Sequence, residues 1–160
     1  MKEKSPAKEH AGIHFPPPLI YILYFFGGML IQKYLPFSNS VFMSDIIKYA
    51  GVFIMISALA VMLVSVAIFK KNKTAVFPFR PSTSLQTSGT YRFSRNPMYL
   101  GFAFVYFGAT LVFGNWWNIV LFPLVILTVQ EFVIKREEKY LEKTFGQSYS
   151  DYMQRVRRWL

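Results

Sequence analysis

The stretch Ile46-Ile47-Lys48-Tyr49-Ala50-Gly51-Val52-Phe53-Ile54-Met55-Ile56-Ser57-Ala58-Leu59-Ala60-Val61-Met62-Leu63-Val64-Ser65-Val66-Ala67-Ile68-Phe69 carries a single charge, Lys48, near its start. Crossing roughly 30 Å of hydrocarbon at 1.5 Å per residue takes about 20 apolar residues. This segment meets that length, and three further blocks follow the same pattern. One runs from about Phe15 to Leu35, opened by Pro16, Pro17 and Pro18, where prolines cost a first helical turn little. Gln32 and Lys33 lie near its far end, where a lysine can snorkel to headgroups. The others run from about Pro97 to Phe113 and from about Trp116 to Ile134, with Gly114-Asn115 as a short turn between them. The expected fold is therefore an all-α integral membrane protein. It has four transmembrane helices, a helical hairpin of spans 3 and 4, and a cytoplasmic C-terminal helical tail. A three-span version, with the first block lying in the interface, is the alternative.

Composition agrees. The chain is 53% apolar, 19% aromatic and 16% charged, and its charges sit between the apolar blocks. The net charge of +10 does not point to nucleic acid, because the basic residues flank hydrophobic segments instead of forming one soluble face. The absence of cysteine excludes disulfides, thiolate nucleophiles and cysteine-ligated zinc. Lys2, Lys4 and Lys8 precede the first block, Lys70, Lys71, Lys73, Arg80, Arg92 and Arg95 lie between the second and third, and Lys135, Arg136, Lys139, Lys143, Arg155, Arg157 and Arg158 follow the fourth. The positive-inside rule then places both termini and the 70–96 connection in the cytoplasm of a multi-pass protein in the cell membrane. Trp116 and Trp117 fall where an aromatic belt belongs. The chain divides into a polar tail (1–14), two N-terminal spans (15–69) and a core (70–160). No A-x-A pattern follows the first block, so a cleaved signal peptide is not expected. Residues 72–88 are rich in Pro, Ser and Thr and form the linker, with Pro78 and Pro81 forbidding a regular helix.

Two stretches carry polar residues that anchoring does not require. The first is Leu85-Gln86-Thr87-Ser88-Gly89-Thr90-Tyr91-Arg92-Phe93-Ser94-Arg95-Asn96-Pro97-Met98-Tyr99-Leu100-Gly101. Asn96-Pro97 reads as N-cap and first helical residue. Gly101 and Gly108 share a face and admit another helix or a ligand closely, while the amides of the helix start favour an anion such as a carboxylate. The second is Gln130-Glu131 with Lys135-Arg136-Glu137-Glu138-Lys139-Tyr140-Leu141. If the fourth span continues as helix, Glu131 and Glu138 lie two turns apart on one face. Glu131 is either a ligand-facing group, being ionisable within a span, or the partner of Lys135 at i,i+4. The stripe of Lys135, Lys139 and Lys143 is read as a headgroup-facing surface. Gly146 reads as a helix end and Ser148 with Asp151 as the cap of a last short helix. Tyr149, Tyr152, Val156 and Trp159 recur at helical spacing, giving an amphipathic helix at the membrane surface or over a site. No G-x-G-x-x-G, P-loop, H-E-x-x-H or G-x-S-x-G is present. His10 and His14 have metal-ligand spacing but lack an obvious third ligand, so no metal site is expected.

Together these stretches resemble the isoprenylcysteine carboxyl methyltransferase and phospholipid methyltransferase superfamily of membrane enzymes. The resemblance rests on Gly89, Tyr91, Arg95-Asn96-Pro97, Tyr99, Gly101, Glu137-Glu138, Leu141, Phe145-Gly146, Tyr149, Tyr152 and Arg158-Trp159. It covers roughly Leu85 to Leu160. It implies an S-adenosylmethionine-dependent methyltransferase acting on a lipid-like or isoprenoid acceptor at the cytoplasmic membrane face. The cofactor would lie among Tyr91, Arg95, Asn96, Pro97, Tyr99, Gly101, Glu137 and Glu138, with Arg95 and Glu138 catalytic. The cofactor's ammonium suits Glu137 or Glu138, and its carboxylate suits Arg95 or the helix-three amides. A tyrosine face, Tyr91 or Tyr99, suits its sulfonium or adenine. Two departures stand out: Asn96 occupies a position that is His in eukaryotic members, and Thr90 one that is often Pro. The first removes a titrating group. Two other classes compete: an NADPH-dependent membrane reductase of related architecture, which usually has many more spans, and a non-catalytic lipid-binding membrane subunit.

Overall fold

The computed structural model describes residues 12–13, 15–72 and 82–160. His10, His14, Lys2, Lys4 and Lys8 lie outside the described residues, as do residues 73–81 with Pro78, Arg80 and Pro81. The described residues are all-helical. The helices are α1 (Pro18–Tyr34), α2 (Asp45–Lys71), α3 (Pro97–Phe113), α4 (Trp116–Val129), α5 (Lys135–Phe145) and α6 (Gln147–Arg155). Short 3₁₀ turns cover Ser40–Met43 and Gly89–Arg92, and a π turn, Gln130–Ile134, joins α4 to α5.

Two helical runs, Asp45–Lys71 and Trp116–Phe145, are long and apolar enough to cross a membrane; Pro97–Phe113 is shorter and equally apolar. The apolar faces of α2 point outward, with Phe53 72% and Leu63 71% exposed. Contiguous apolar exposure of this kind fits a lipid surround, not water. The chain is thus a membrane-associated helical protein.

Local sequence explains each boundary. Asn96 precedes a proline and is held out of the helical region (φ −130°, ψ 52°), so α3 begins at Pro97. The capping bond expected of Asn96 is not made: its side chain is turned to the C-terminal segment. Gly114 ends α3 in the left-handed region (φ 65°), and Asn115 caps α4 by accepting from the Asn118 amide at 3.2 Å. Gly146 (φ 53°) separates α5 from α6, as expected. The cap expected from Ser148 and Asp151 is replaced: both lie inside α6, and Asp151 accepts from Gln147 Nε2 at 2.7 Å. The helical spacing of Tyr149 and Tyr152 stops short of Val156, which is extended, and of Trp159 beyond it.

The four long helices alternate in direction. At one end, the indoles of Trp116 and Trp117 donate to the carbonyls of Ser38 (3.0 Å) and Leu35 (2.7 Å). At the other, the Tyr21 hydroxyl of α1 donates to the Tyr99 carbonyl at 2.9 Å. The third and fourth blocks form consecutive helices in contact with each other. Their turn is as expected, yet α3 packs principally along α2, and α4 along α1. The cause is small residues. A Cβ on Gly51 would stand 2.6 Å from the Gly108 carbonyl oxygen, and one on Gly108 2.6 Å from that of Gly51, so the backbones of α2 and α3 cross in direct contact.

Candidate active site

The end of the bundle where α2 and α4 finish and α3 begins holds a polar cleft of about 620 Å³, its open mouth included. Its wall takes Phe69 from the end of α2, Ser82, Ser84, Leu85, Gln86 and Tyr91 from the connection, and Arg95, Asn96, Met98 and Tyr99 at the start of α3. Glu137, Glu138 and Leu141 come from α5, and Tyr149 with Tyr152 from α6.

Glu138 is the electrostatic centre. Arg95 Nη2 lies 2.9 Å from its Oε1 and Arg158 Nη2 2.7 Å from its Oε2. Arg158 Nε adds contacts of 3.1 Å to both oxygens. Charge-assisted forks of this kind are strong and directional. They fasten α5 simultaneously to the start of α3 and to the C-terminal segment. Backbone bonds repeat the fastening: the Arg95 amide donates to the Arg157 carbonyl at 3.0 Å, and Asn96 Nδ2 to the Arg158 carbonyl at 3.0 Å. The Tyr152 hydroxyl donates to the Tyr91 carbonyl at 2.6 Å, and Trp159 Nε1 to Gln130 Oε1 at 3.0 Å.

Glu137 is placed differently. Its sole side-chain bond among the described residues is from the Tyr99 hydroxyl, at 2.9 Å. α5 carries charges on most of its residues and extends beyond the apolar part of its helix, so Glu137 lies outside the hydrocarbon. Burial pushes its carboxyl up to about 7; the Tyr99 hydrogen bond opposes that and the Glu138 charge adds to it. Burial likewise holds Tyr91, Tyr149 and Tyr152 well above the ordinary phenol range, so they are neutral hydroxyls at physiological pH. Two buried polar atoms in the cleft wall have no partner among the described residues: Tyr91 Oη and Arg95 Nε. Such orphans are costly unless something meets them.

Of the residues singled out in sequence, Tyr91, Arg95, Asn96, Tyr99, Glu137 and Glu138 all line this cleft. Pro97 stands behind it as the first residue of α3. Gly101 faces the other way, where an added Cβ would meet Met62 Cγ of α2 at 2.2 Å. Glu131 and Glu138 do not share a face: Glu131 is exposed and paired with Lys135 at 2.7 Å, while Glu138 is buried. The π turn between them adds a residue to the helical turn and shifts the register. Arg158 as second clasp on Glu138, and Gln86 in the wall, were not foreseen. Both have a signal in the sequence, a polar residue in an otherwise unexplained motif, but neither spacing reveals its partner.

The described residues thus form an apolar helical bundle with a cleft at one end that holds both carboxylates and guanidinium groups and is walled in part by α6. Residues 46–148 match the phospholipid methyltransferase family, and the chain belongs to that family. An uncharacterised protein of Haemophilus influenzae is 44% identical over 66 residues, 39% of this chain and 100% of that protein. The protein-S-isoprenylcysteine O-methyltransferase of Schizosaccharomyces pombe is 38% identical over 72 residues, and its Arabidopsis thaliana counterpart B is 35% identical over 72. Those matches cover 45% of this chain and 30% and 36% of the two relatives, so the chain is matched to about a third of their length. No solved structure matches the chain.

Proposed function

We propose that the chain transfers a methyl group from S-adenosylmethionine to a lipid-like or isoprenoid acceptor at the cytoplasmic face of the membrane, which it crosses four times with both termini inside. The observation that carries this is the cleft itself: a carboxylate with no cationic partner among the described residues, Glu137, and an incompletely satisfied guanidinium, Arg95, line one cleft together with four tyrosines. S-adenosylmethionine supplies an electrophilic methyl on a sulfonium, flanked by an ammonium, a carboxylate and an adenine ring.

The residues present suit that set of groups. Arg95 Nε and the neutral Tyr91 hydroxyl are donors without partners, fitted to a carboxylate or ribose oxygen. Glu137 is the carboxylate left for an ammonium, because Glu138 already serves two arginines. Charge arithmetic points the same way. Arg95 and Arg158 with Glu138 leave one positive charge, which ionised Glu137 cancels; a ligand of net positive charge therefore binds with Glu137 ionised. Tyr149 and Tyr152 offer ring faces to a sulfonium or an adenine. Glu138 and Arg158 position Arg95 and close the C-terminal segment over the cleft. In-line displacement at a sulfonium asks chiefly for such positioning and for exclusion of water. Residues 70–160 would form the catalytic core and residues 15–69 its membrane support.

Purified protein incubated with methyl-labelled S-adenosylmethionine and total membrane lipids should place label in the organic phase. Folded protein that leaves all label in water at every pH between 6 and 9 would overturn the assignment.

A further inference from the structure

Sharing Tyr152 with the cleft is a second polar hollow of about 580 Å³, its open mouth included, lined by Thr87, Arg92, Tyr152, Arg155 and Val156. Arg92 makes no ion pair or side-chain hydrogen bond among the described residues. Among the described residues the guanidinium of Arg155 makes a single bond, 3.1 Å from Nε to the Asp151 carbonyl, which leaves its terminal nitrogens without a partner there. Asp151, the nearest acid in sequence, is bonded to Gln147 instead. Two uncompensated guanidinium groups and a hydroxyl thus converge on one concave surface. Next to Arg92, Phe93 is 76% exposed, an apolar ring beside a cation as found at headgroup depth.

We infer that this hollow binds the phosphate of an anionic phospholipid headgroup, gripped by Arg92 and Arg155 with Thr87 donating. Guanidinium forks match phosphate oxygens in geometry and charge. Burial of the charge is slight at this exposed edge, so desolvation does not cancel the gain. The hollow touches the cleft through one residue: Tyr152 walls both, and its hydroxyl holds the Tyr91 carbonyl. A lipid seated here would brace the segment that closes the cleft. The inference needs membrane association and is independent of methyl transfer.

The test uses the full chain in neutral detergent, titrated with phosphatidylglycerol, phosphatidylcholine and inorganic phosphate, with retention followed by native mass spectrometry. Phosphatidylglycerol should bind in preference to phosphatidylcholine. The R92Q/R155Q variant should lose about tenfold in apparent affinity, the order expected for two charge-assisted contacts, whereas R157Q should not. Displacement of the lipid by millimolar phosphate would show that the phosphate alone is read; persistence of the lipid would show that the headgroup and its chains are needed. Should the double variant misfold, R155Q alone, altered at the exposed end of α6, should lose about threefold. Unchanged affinity in R92Q/R155Q, an equal loss in R157Q, or no preference for the anionic lipid overturns the inference. Binding of S-adenosylmethionine in the same samples keeps its failure separate from that of the methyltransferase assignment.

Discussion

Exchanging Glu138 for glutamine removes the carboxylate that pairs with both Arg95 and Arg158, and exchanging Glu137 removes a buried carboxylate that makes no ion pair among the described residues. The two substitutions should therefore act oppositely. Glu138→Gln should lower stability by about 3 kcal/mol, because it strands two partly buried guanidinium groups, and should show this as a lower Tm in detergent. Glu137→Gln should hold or raise Tm and still abolish S-adenosylmethionine binding. The sign follows from protonation. A carboxyl raised from 4.5 to about 7 binds protons more tightly in the folded state, so its stabilising contribution is full below pH 4.5 and is lost as pH rises to about 7. Hence Glu137→Gln should be most favourable relative to the parent above pH 7. Cofactor affinity should run the other way, weakening as pH falls below about 7; calorimetry at pH 6 and pH 8 measures it. In the sequence, Glu137 and Glu138 are interchangeable candidates. Only the third dimension separates them, because Arg158 lies 20 residues away along the chain.

The π turn Gln130–Ile134 is the element on which the site's register depends. Removing the exposed Phe132 would restore an ordinary helix and turn α5 by about 100°, carrying Glu137 and Glu138 off the cleft. That deletion should keep helical content by circular dichroism and lose S-adenosylmethionine binding; retained binding would show that the bulge is incidental. The α2–α3 crossing is the second such element. Gly108→Ala drives a methyl into the Gly51 carbonyl and should cost about 1–3 kcal/mol. Helix limits were legible, since Pro97, Gly114 and Gly146 act through their own backbone. The π turn was not, because nothing in Gln130-Glu131-Phe132-Val133-Ile134 distinguishes one helical hydrogen-bond pattern from another. Nor was the choice of α2 as partner for α3. Gly101 and Gly108 announced a close approach but could not say to what.

At the scale of the molecule, the alternation of four helices and the gathering of polar motifs at one end were readable from hydropathy and from where the basic residues fall. That the C-terminal helix lies at the membrane surface or over a site was also readable, but the bonds that fasten the segment after it were not, since they fall on backbone carbonyls of Arg157 and Arg158 that carry no sequence signature. Topology can be tested directly because the chain has no cysteine. Ser38→Cys should react with an impermeant maleimide in intact cells, and Gln154→Cys only after permeabilisation. Truncation after Arg155 should leave the bundle membrane-bound but eliminate cofactor binding. The central claim, that Arg95, Glu137 and the surrounding tyrosines form a cofactor cleft, is most directly met by calorimetric titration of S-adenosylmethionine into the purified parent and its Glu137→Gln variant at pH 8. Saturable one-to-one binding to the parent, absent in the variant, is the predicted result; no binding to folded parent protein, or equal binding to both, would contradict it.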